Sequence, residues 1–399
     1  MDKLSLDHIY RASHVLKNVI RQTNLIKTSI NGEDIYLKPE NLQVTGSFKV
    51  RGAGYMISQL SEDERKKGVI ACSAGNHAQG VALAARTYGI PATICLPAGA
   101  PISKVEATRS YGAEICLVPG VYDDAYRYAL KLKEERGMAF VHPFDNPLVI
   151  AGQGTIGLEI LDELPEVDQV VVPIGGGGLA SGVAYAIKQL SPGVKVFGVQ
   201  AEGAPSMFNS VRDGELETLP KVHTIADGIA VKEPGELTYQ LCSTMLDGIV
   251  TVSEDEICTA ILHLMESRKI IAEGAGAVAV AAVLFGKIDC GGKKTVCIVS
   301  GGNIDVNFLN RIVSRGLEMS GRKCRLVIEM PDKPGELYTI SKAIAELGAN
   351  ITAVNHERTA STEDVTSCVL TVSMETRNRQ HCEQIQQELV RMGYKLTDF

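Results

Sequence analysis

No two of the ten cysteines stand in a C-x-x-C pair. Paired spacing is the mark of zinc sites, redox motifs and disulfide frameworks, so the sequence suggests neither a bound metal nor a stapled scaffold. The cysteines, Cys324 and Cys382 among them, are expected to be reduced thiols of a cytoplasmic protein. There is no basic block either: 40 Lys and Arg stand against 47 Asp and Glu, spread along the chain, which argues against a nucleic-acid partner. The first twenty residues hold no signal-like apolar core. The longest small-apolar run, Ala275 to Phe285, is too short to span a bilayer and reads as a buried helix, so no membrane partner is expected. Gly152 to Gly157 matches G-x-G-x-x-G, but it follows the loop-like Pro143 to Pro147, and no strand ends in an acidic residue about twenty positions on. It reads as the start of a helix, not as a dinucleotide loop.

What is present points elsewhere. In Gly46-Ser47-Phe48-Lys49-Val50-Arg51-Gly52-Ala53, one lysine stands between an aromatic residue and small residues at a loop-to-helix junction. An amine that attacks an aldehyde needs a partly desolvated pocket, a flat apolar neighbour and small residues where backbone approaches the group it joins. A solvated charge in the first turn of a surface helix is the plain alternative. Downstream, the apolar run Val170 to Ile174 leads into Gly175-Gly176-Gly177-Gly178 and the helical pattern from Leu179. Strand, glycine loop and helix aim backbone N–H groups and a helix dipole at one point, where a phosphate fits. No Walker-type lysine follows, which disfavours a triphosphate.

Ser73-Ala74-Gly75-Asn76-His77-Ala78-Gln79-Gly80 follows a strand-like segment and opens a helix. Asn76 is suited to donate to a phenolate oxygen, with an N-cap as the alternative, and Gly75 lets backbone approach a carboxylate at the helix start. Thr295 to Val299 is an apolar strand ending in Ser300-Gly301-Gly302-Asn303, which places Ser300 at the carboxyl end where open α/β sheets bind ligands. Strand and helix patterns alternate from Ile35 to Val299, with strands at Ala92 to Leu96, Glu114 to Val118, Gln169 to Ile174 and Lys195 to Gln200. Alternation of this kind predicts an α/β fold with parallel sheets. After Arg322 the pattern becomes βαββα: strands at Arg325 to Met330, Ile351 to Arg358 and Val365 to Val372, helices at Glu336 to Leu347 and Arg379 to Met392, with a last strand near Tyr394 to Leu396.

The lysine octapeptide, the Ser73 to Gly80 segment, the tetraglycine loop and Ser300 to Asn303 occur in the order and spacing of the fold-type II pyridoxal-phosphate enzymes. Over residues 5 to 320 the chain resembles the threonine dehydratase (threonine ammonia-lyase) family, to which Asp145-Asn146-Pro147, Ala226-Asp227-Gly228 and Glu273 to Ala277 also conform. The resemblance implies pyridoxal 5'-phosphate as cofactor, with Lys49 as the catalytic residue that forms the internal aldimine and Phe48 packed on the ring. It implies Gly175, Gly176, Gly177 and Gly178 on the phosphate, Asn76 on the phenolate oxygen, Ser300 on the pyridine nitrogen, and Ser73, Ala74, Gly75, Asn76 and His77 on the substrate carboxylate. It further implies a two-lobed, tryptophan synthase β-like architecture, with residues 1–44 and 149–321 as the large lobe and 45–148 as the small one. The expected reaction is loss of water and ammonia from threonine or serine. A serine racemase or serine dehydratase of the same fold, and a non-catalytic amino-acid sensor, are the alternatives. Against the racemase, Ala74 offers no hydroxyl where serine racemases carry a second serine, and Gln200 and Ser206 stand where that branch has metal-binding carboxylates. The tail, residues 322–399 with Asp332 to Leu337 and Gly348 to Ile351, resembles an ACT domain, a small α+β regulatory module. That resemblance implies an amino-acid effector, or AMP, and a homodimer or homotetramer.

Overall fold

The structure is a computed structural model that describes residues 4–358 and 366–397. Val365, the expected start of one strand, lies outside them, as do the chain ends at residues 1–3 and 398–399. The chain forms two compact units, Met1–Val306 and Asn307–Phe399. The helix Val306–Met319, grouped with the large lobe from sequence, thus goes with the C-terminal unit from its second residue on.

The larger unit holds two sheets. One has six strands in the order Ile26–Ile30, Glu33–Pro39, Thr295–Val299, Gln169–Pro173, Lys195–Ala201 and Gly248–Val252. All its neighbours pair in parallel except the first two, which form an antiparallel hairpin. That hairpin, absent from the sequence reading, turns on Asn31 and Gly32, whose φ values of 54° and 86° are what a two-residue turn between twisted strands requires. The second sheet is wholly parallel, in the order Glu114–Val118, Ala92–Pro97, Val69–Cys72 and Ala139–Phe140. Gln169–Pro173, Thr295–Val299 and Val69–Cys72 are buried at every residue, which is why they read as continuous apolar runs and not as alternating ones.

The stretch Gly152 to Gly157 lies inside a helix, not at its start. The helix Pro147–Glu163 begins earlier, where Asn146 accepts from the N–H groups of Leu148 and Val149 and proline takes the first position. The three glycines have a packing cause. A Cβ at Gly152 would sit 2.5 Å from the Arg51 carbonyl oxygen; at Gly154, 2.9 Å from that of Gly182; at Gly157, 3.1 Å from that of Val183. One side of this helix therefore meets the backbone of the helix Lys49–Ser58, and another meets that of Gly178–Leu190. These are the helices that open with the lysine and with the glycine loop.

A buried charge network reinforces the first contact. Arg51 is fully buried and holds Glu40 through Nε–Oε2 and Nη2–Oε1 bonds of 2.8 Å each. It also donates to Glu159 at 2.5 and 2.9 Å and to Thr155 Oγ1 at 3.1 Å. Lys38, equally buried, pairs with Glu159 at 2.7 Å and Glu163 at 3.1 Å. The helix Gly274–Leu284, apolar on every side, is buried from Gly274 to Val283. Among the described residues no helix is long and apolar enough to cross a membrane.

The C-terminal unit is an antiparallel sheet in the order Asn350–Glu357, Ser367–Glu375, Lys323–Pro331 and Lys395–Thr397, with the helices Glu336–Glu346 and Arg379–Arg391. Its core joins Leu326, Ile328, Ile340, Ile344, Leu370, Val372, Ile385 and Leu389. Cys324 and Cys382, expected to be free thiols, are joined in a disulfide across 58 positions of sequence, a separation that no local motif could reveal.

Arg51→Ala would leave Glu40 buried and unpaired. We expect it to lower the unfolding free energy by about 3–5 kcal/mol in denaturant titrations. Arg11→Ala, which removes an exposed pair with Asp7, should leave the midpoint nearly unchanged.

Candidate active site

A cavity of about 750 Å³ opens at the carboxyl ends of Val69–Cys72, Gln169–Pro173 and Thr295–Val299. Its lining includes every residue singled out above: Phe48, Lys49, Ser73 to His77, Gly175 to Gly178 and Ser300.

Lys49 is the first residue of its helix, with Phe48 at the N-cap. The segment before it is stitched to the end of Thr295–Val299: Phe48 N–H donates to the Ser300 carbonyl at 3.1 Å, Ser47 bridges Gly301, and Gly302 N–H donates to the Gly46 carbonyl at 2.9 Å. Gly46 has a φ of 70°, and a Cβ there would meet Asn303 Oδ1 at 2.4 Å. Lys49 Nζ donates to the Pro143 carbonyl at 2.8 Å and lies 5.3 Å from the centre of the Phe48 ring. Burial pulls its pKa down to about 8, with the nearby Glu273 opposing. A solvated surface lysine, the plain alternative, is excluded.

The glycine loop is crowded on its outer side. A Cβ at Gly176 would come within 2.4 Å of the Phe144 ring, at Gly177 within 2.7 Å of Thr238 Cβ, and at Gly178 within 2.9 Å of Phe144 Cα. Gly177 also has a φ of 99°. Thr238 Oγ1 fixes the loop by donating to the Gly176 carbonyl at 2.6 Å, while Asp145 Oδ1 accepts from Thr238 N–H at 3.0 Å. The first-turn N–H groups of Gly178–Leu190 have no acceptor within the helix, which gives the loop the donors an anion needs.

The N-cap of the helix Asn76–Thr87 is Gly75, so Asn76 is not a cap. Its Nδ2 donates to Glu273 Oε1 at 2.6 Å, and its Oδ1 accepts from Asn303 Nδ2 at 2.8 Å. Ser73 Oγ accepts from Gly75 N–H at 3.2 Å, and Ser300 Oγ donates to the Ala275 carbonyl at 3.2 Å. The His77 ring bonds the Val141 carbonyl at 2.8 Å; burial, then the Lys49 charge, push its pKa down to about 3. It is a neutral structural ring, not a proton carrier.

Glu273 is the residue whose role the sequence did not disclose. It stands just before a small-residue helix and looks like a cap, but makes no capping bond. Its carboxyl is 4 % exposed, and burial, then Asp227, raise its pKa to about 8. Lys104 pairs with Asp227 beside it. The motif Glu273 to Ala277 was visible as a stretch; only the fold brings it to Asn76, 197 positions away.

Residues 16–301 match the family model of the pyridoxal-phosphate dependent enzymes, and residues 320–393 that of the ACT domain. An L-threonine ammonia-lyase of Thermotoga maritima is 51% identical over 397 residues, covering 98% of this chain and 99% of that protein. Among solved structures, the processed form of threonine deaminase isoform 2 from Solanum lycopersicum superposes with a TM-score of 0.73 at 38% identity, covering 78% of this chain and 94% of that one. Maize serine racemase superposes at 0.75 with 35% identity, covering 80% and 99%. The chain belongs to the pyridoxal-phosphate-dependent enzyme family, with an ACT domain at its C-terminal end.

The depressed pKa makes Lys49 an unusually nucleophilic amine. In the cofactor-free chain, its labelling by an amine-directed reagent, followed by peptide mass spectrometry, should rise with pH to a midpoint near 8, where an ordinary lysine continues to about 10.4. Glu273, itself raised to about 8, is only partly ionised at that midpoint, so Glu273→Gln, which removes the residual charge opposing the shift, should move the midpoint slightly lower. A midpoint above 10 in the native chain would contradict the burial.

Proposed function

We infer that this chain is a pyridoxal-phosphate-dependent threonine ammonia-lyase, converting threonine to 2-oxobutanoate and ammonia, and serine to pyruvate and ammonia. The observation that carries the reading is the buried amine of Lys49, held near pKa 8 against Phe48 in a cavity whose far side is the tetraglycine loop. Pyridoxal phosphate suits this site. Gly176 to Gly178 pack so closely against Phe144 and Thr238 that no Cβ fits, which leaves bare backbone to line the cavity; Lys49 is poised to attack an aldehyde, and Ser300 offers a hydroxyl at a strand end.

When bound, the cofactor supplies an electron sink that weakens the bonds at the substrate α-carbon. The rest is assigned to the chain's own groups, as a proposal. Gly175 to Gly178 would hold the phosphate, Phe48 would pack on the ring and Asn76 would donate to the ring oxygen. Lys49 would be the residue that holds the cofactor, and its amine, with its pKa near 8, would be the base for the substrate α-proton. Ser73, Ala74, Gly75, Asn76 and His77 present the start of a helix to the substrate carboxylate. Ser300, whose hydroxyl donates to the Ala275 carbonyl, would offer the pyridine nitrogen a neutral partner. Such a group cannot keep that nitrogen protonated as a carboxylate would, so the sink is weak. Rapid departure of a β-hydroxyl then competes well against reactions that need a long-lived carbanion.

The likeness to maize serine racemase calls for a decision between the two readings. Racemisation needs a second acid or base on the face of the α-carbon opposite Lys49. Ala74 supplies none. Gln200 accepts from Phe208 N–H at 2.7 Å and donates to the Ile174 carbonyl at 3.4 Å, a spent amide where a carboxylate ligand would be needed. For the ACT domain we propose an amino-acid effector such as isoleucine, valine or serine, with AMP as the other candidate, in a homodimer or homotetramer.

Lys49→Ala should retain the fold but lose covalent cofactor attachment together with its base. Ammonia release should fall by at least the roughly 100 to 10,000-fold that base catalysis contributes. Near-normal release would refute the role. The threonine methyl is worth about 1–3 kcal/mol in a fitted pocket, so kcat/KM should favour threonine while serine still reacts. D-Serine formed from L-serine at a rate comparable to pyruvate would favour the racemase.

A further inference from the structure

A second cluster of chemically capable side chains lies in the C-terminal unit. Cys368 pairs with Met330 across the two central strands of its sheet, and His356, on the edge strand Asn350–Glu357, pairs with Leu370. Asp332 follows the end of Lys323–Pro331, and its N–H donates to the Thr366 carbonyl at 2.9 Å, continuing the same pairing. Positions 366, 368 and 370 of one strand share a face, because side chains alternate with a period of two. Asp332, Cys368 and His356 are therefore set side by side across three adjacent strands, on one face of the sheet and near one end.

Their ligand atoms all lie within 4.8 Å of one another. His356 Nε2 lies 3.1 Å from Cys368 Sγ. Tetrahedral coordination with metal–sulfur, –nitrogen and –oxygen bonds of about 2.0–2.3 Å holds its donors about 3.3–3.5 Å apart, so small side-chain rotations suffice to close this set on an ion. We propose that Asp332, His356 and Cys368 form a binding site for a divalent transition-metal ion of the zinc class, with three protein donors and a fourth position open to solvent.

The donor chemistry selects that class. A thiolate and an imidazole favour zinc or cobalt(II) over magnesium or calcium, which take oxygen donors. Asp332 and His356 are exposed and Cys368 is buried, so the sulfur closes the site from beneath while the other two receive the ion from solvent. Arg358 Nε lies 3.3 Å from Asp332 Oδ2, and a carboxylate has acceptor sites enough for that contact and a metal together. Coordination transfers the thiol proton to solvent and leaves the imidazole neutral. The expectation of no metal rested on the missing C-x-x-C spacing; these donors stand 24 and 12 positions apart and meet only through strand pairing.

The full-length, cofactor-loaded chain, stripped with a chelator, is the material for the test. Cobalt(II) should bind at one equivalent per chain and give a thiolate-to-cobalt band in difference spectra, together with the visible bands of a tetrahedral ion. Zinc should displace it. Cys368→Ser should abolish the thiolate band, and His356→Ala should weaken binding by about tenfold or more, since disturbing even groups that only orient a ligand costs that much. Asp332→Asn keeps the backbone donation to Thr366 and serves as the milder variant, expected to weaken binding with an unchanged circular dichroism spectrum. No one-equivalent binding, or a thiolate band that survives in Cys368→Ser, would overturn the proposal.

Discussion

The placement of Lys49 depends on the buried ion cluster around Arg51, two residues on in the same helix. Arg51 and Lys38 carry full positive charges at zero exposure, and the carboxylates of Glu40, Glu159 and Glu163 are arranged to meet them. Such a cluster is not a large net source of stability, because desolvating the ions offsets most of their attraction. Its force lies in what it forbids. Any shift of the helix Lys49–Ser58 along Pro147–Glu163 would strand a charge in the interior, so only one register is tolerated. Gly52 and Gly152 make the same demand sterically, since a Cβ on Gly52 would meet the Val149 carbonyl at 2.8 Å. The lysine is thereby set by two independent constraints, one electrostatic and one of packing, neither of which touches the cavity.

The parts of this molecule legible in sequence are those with local causes. Apolar runs buried on both faces announced the parallel strands, and the four glycines announced a tight strand-to-helix loop, which lines the cavity. What failed did so for a common reason. The Asn31-Gly32 hairpin was locally marked but lies before the alternation the eye follows. The glycines of Gly152 to Gly157 were taken for a helix start because spacing cannot tell a backbone that approaches a ligand from one that approaches another helix. The Cys324–Cys382 disulfide and the partner of Glu273 are contacts at long sequence range, invisible until the chain is folded.

Burial sets the protonation pattern of the cavity, and it acts in opposite directions on opposite charge types. It lowers Lys49 to about 8 and His77 to about 3, and raises Glu273 to about 8. In the folded state Lys49 binds fewer protons than an exposed lysine between pH 8 and its ordinary value, so its burial weighs less on stability as pH rises through that range. Glu273 has the reverse sign: from its ordinary value up to about pH 8 the folded chain binds the extra proton, and its contribution to stability is lost as pH rises. The two windows are opposite in sign and meet near pH 8, where an amine base must change state.

That opposition gives Glu273 a physical reason to sit where it does. An amide has one acceptor end and one donor end, and at Asn76 both are committed: Asn303 Nδ2 can only donate to Oδ1, and Glu273 Oε1 accepts from Nδ2. A flipped Asn76 would set two NH2 groups against each other. The orientation is thus fixed, with one Nδ2 hydrogen given to Glu273 and the second left to donate elsewhere. Were Glu273 an ordinary exposed carboxylate, its full charge would stand close to Lys49 and stabilise the ammonium form. Because burial keeps the carboxyl largely neutral below about pH 8, it can orient the amide while leaving the lysine proton comparatively easy to lose. A neutral acceptor that orients without attracting the amine's proton is what a site relying on Lys49 as a base requires, and a carboxyl kept protonated by burial meets that description.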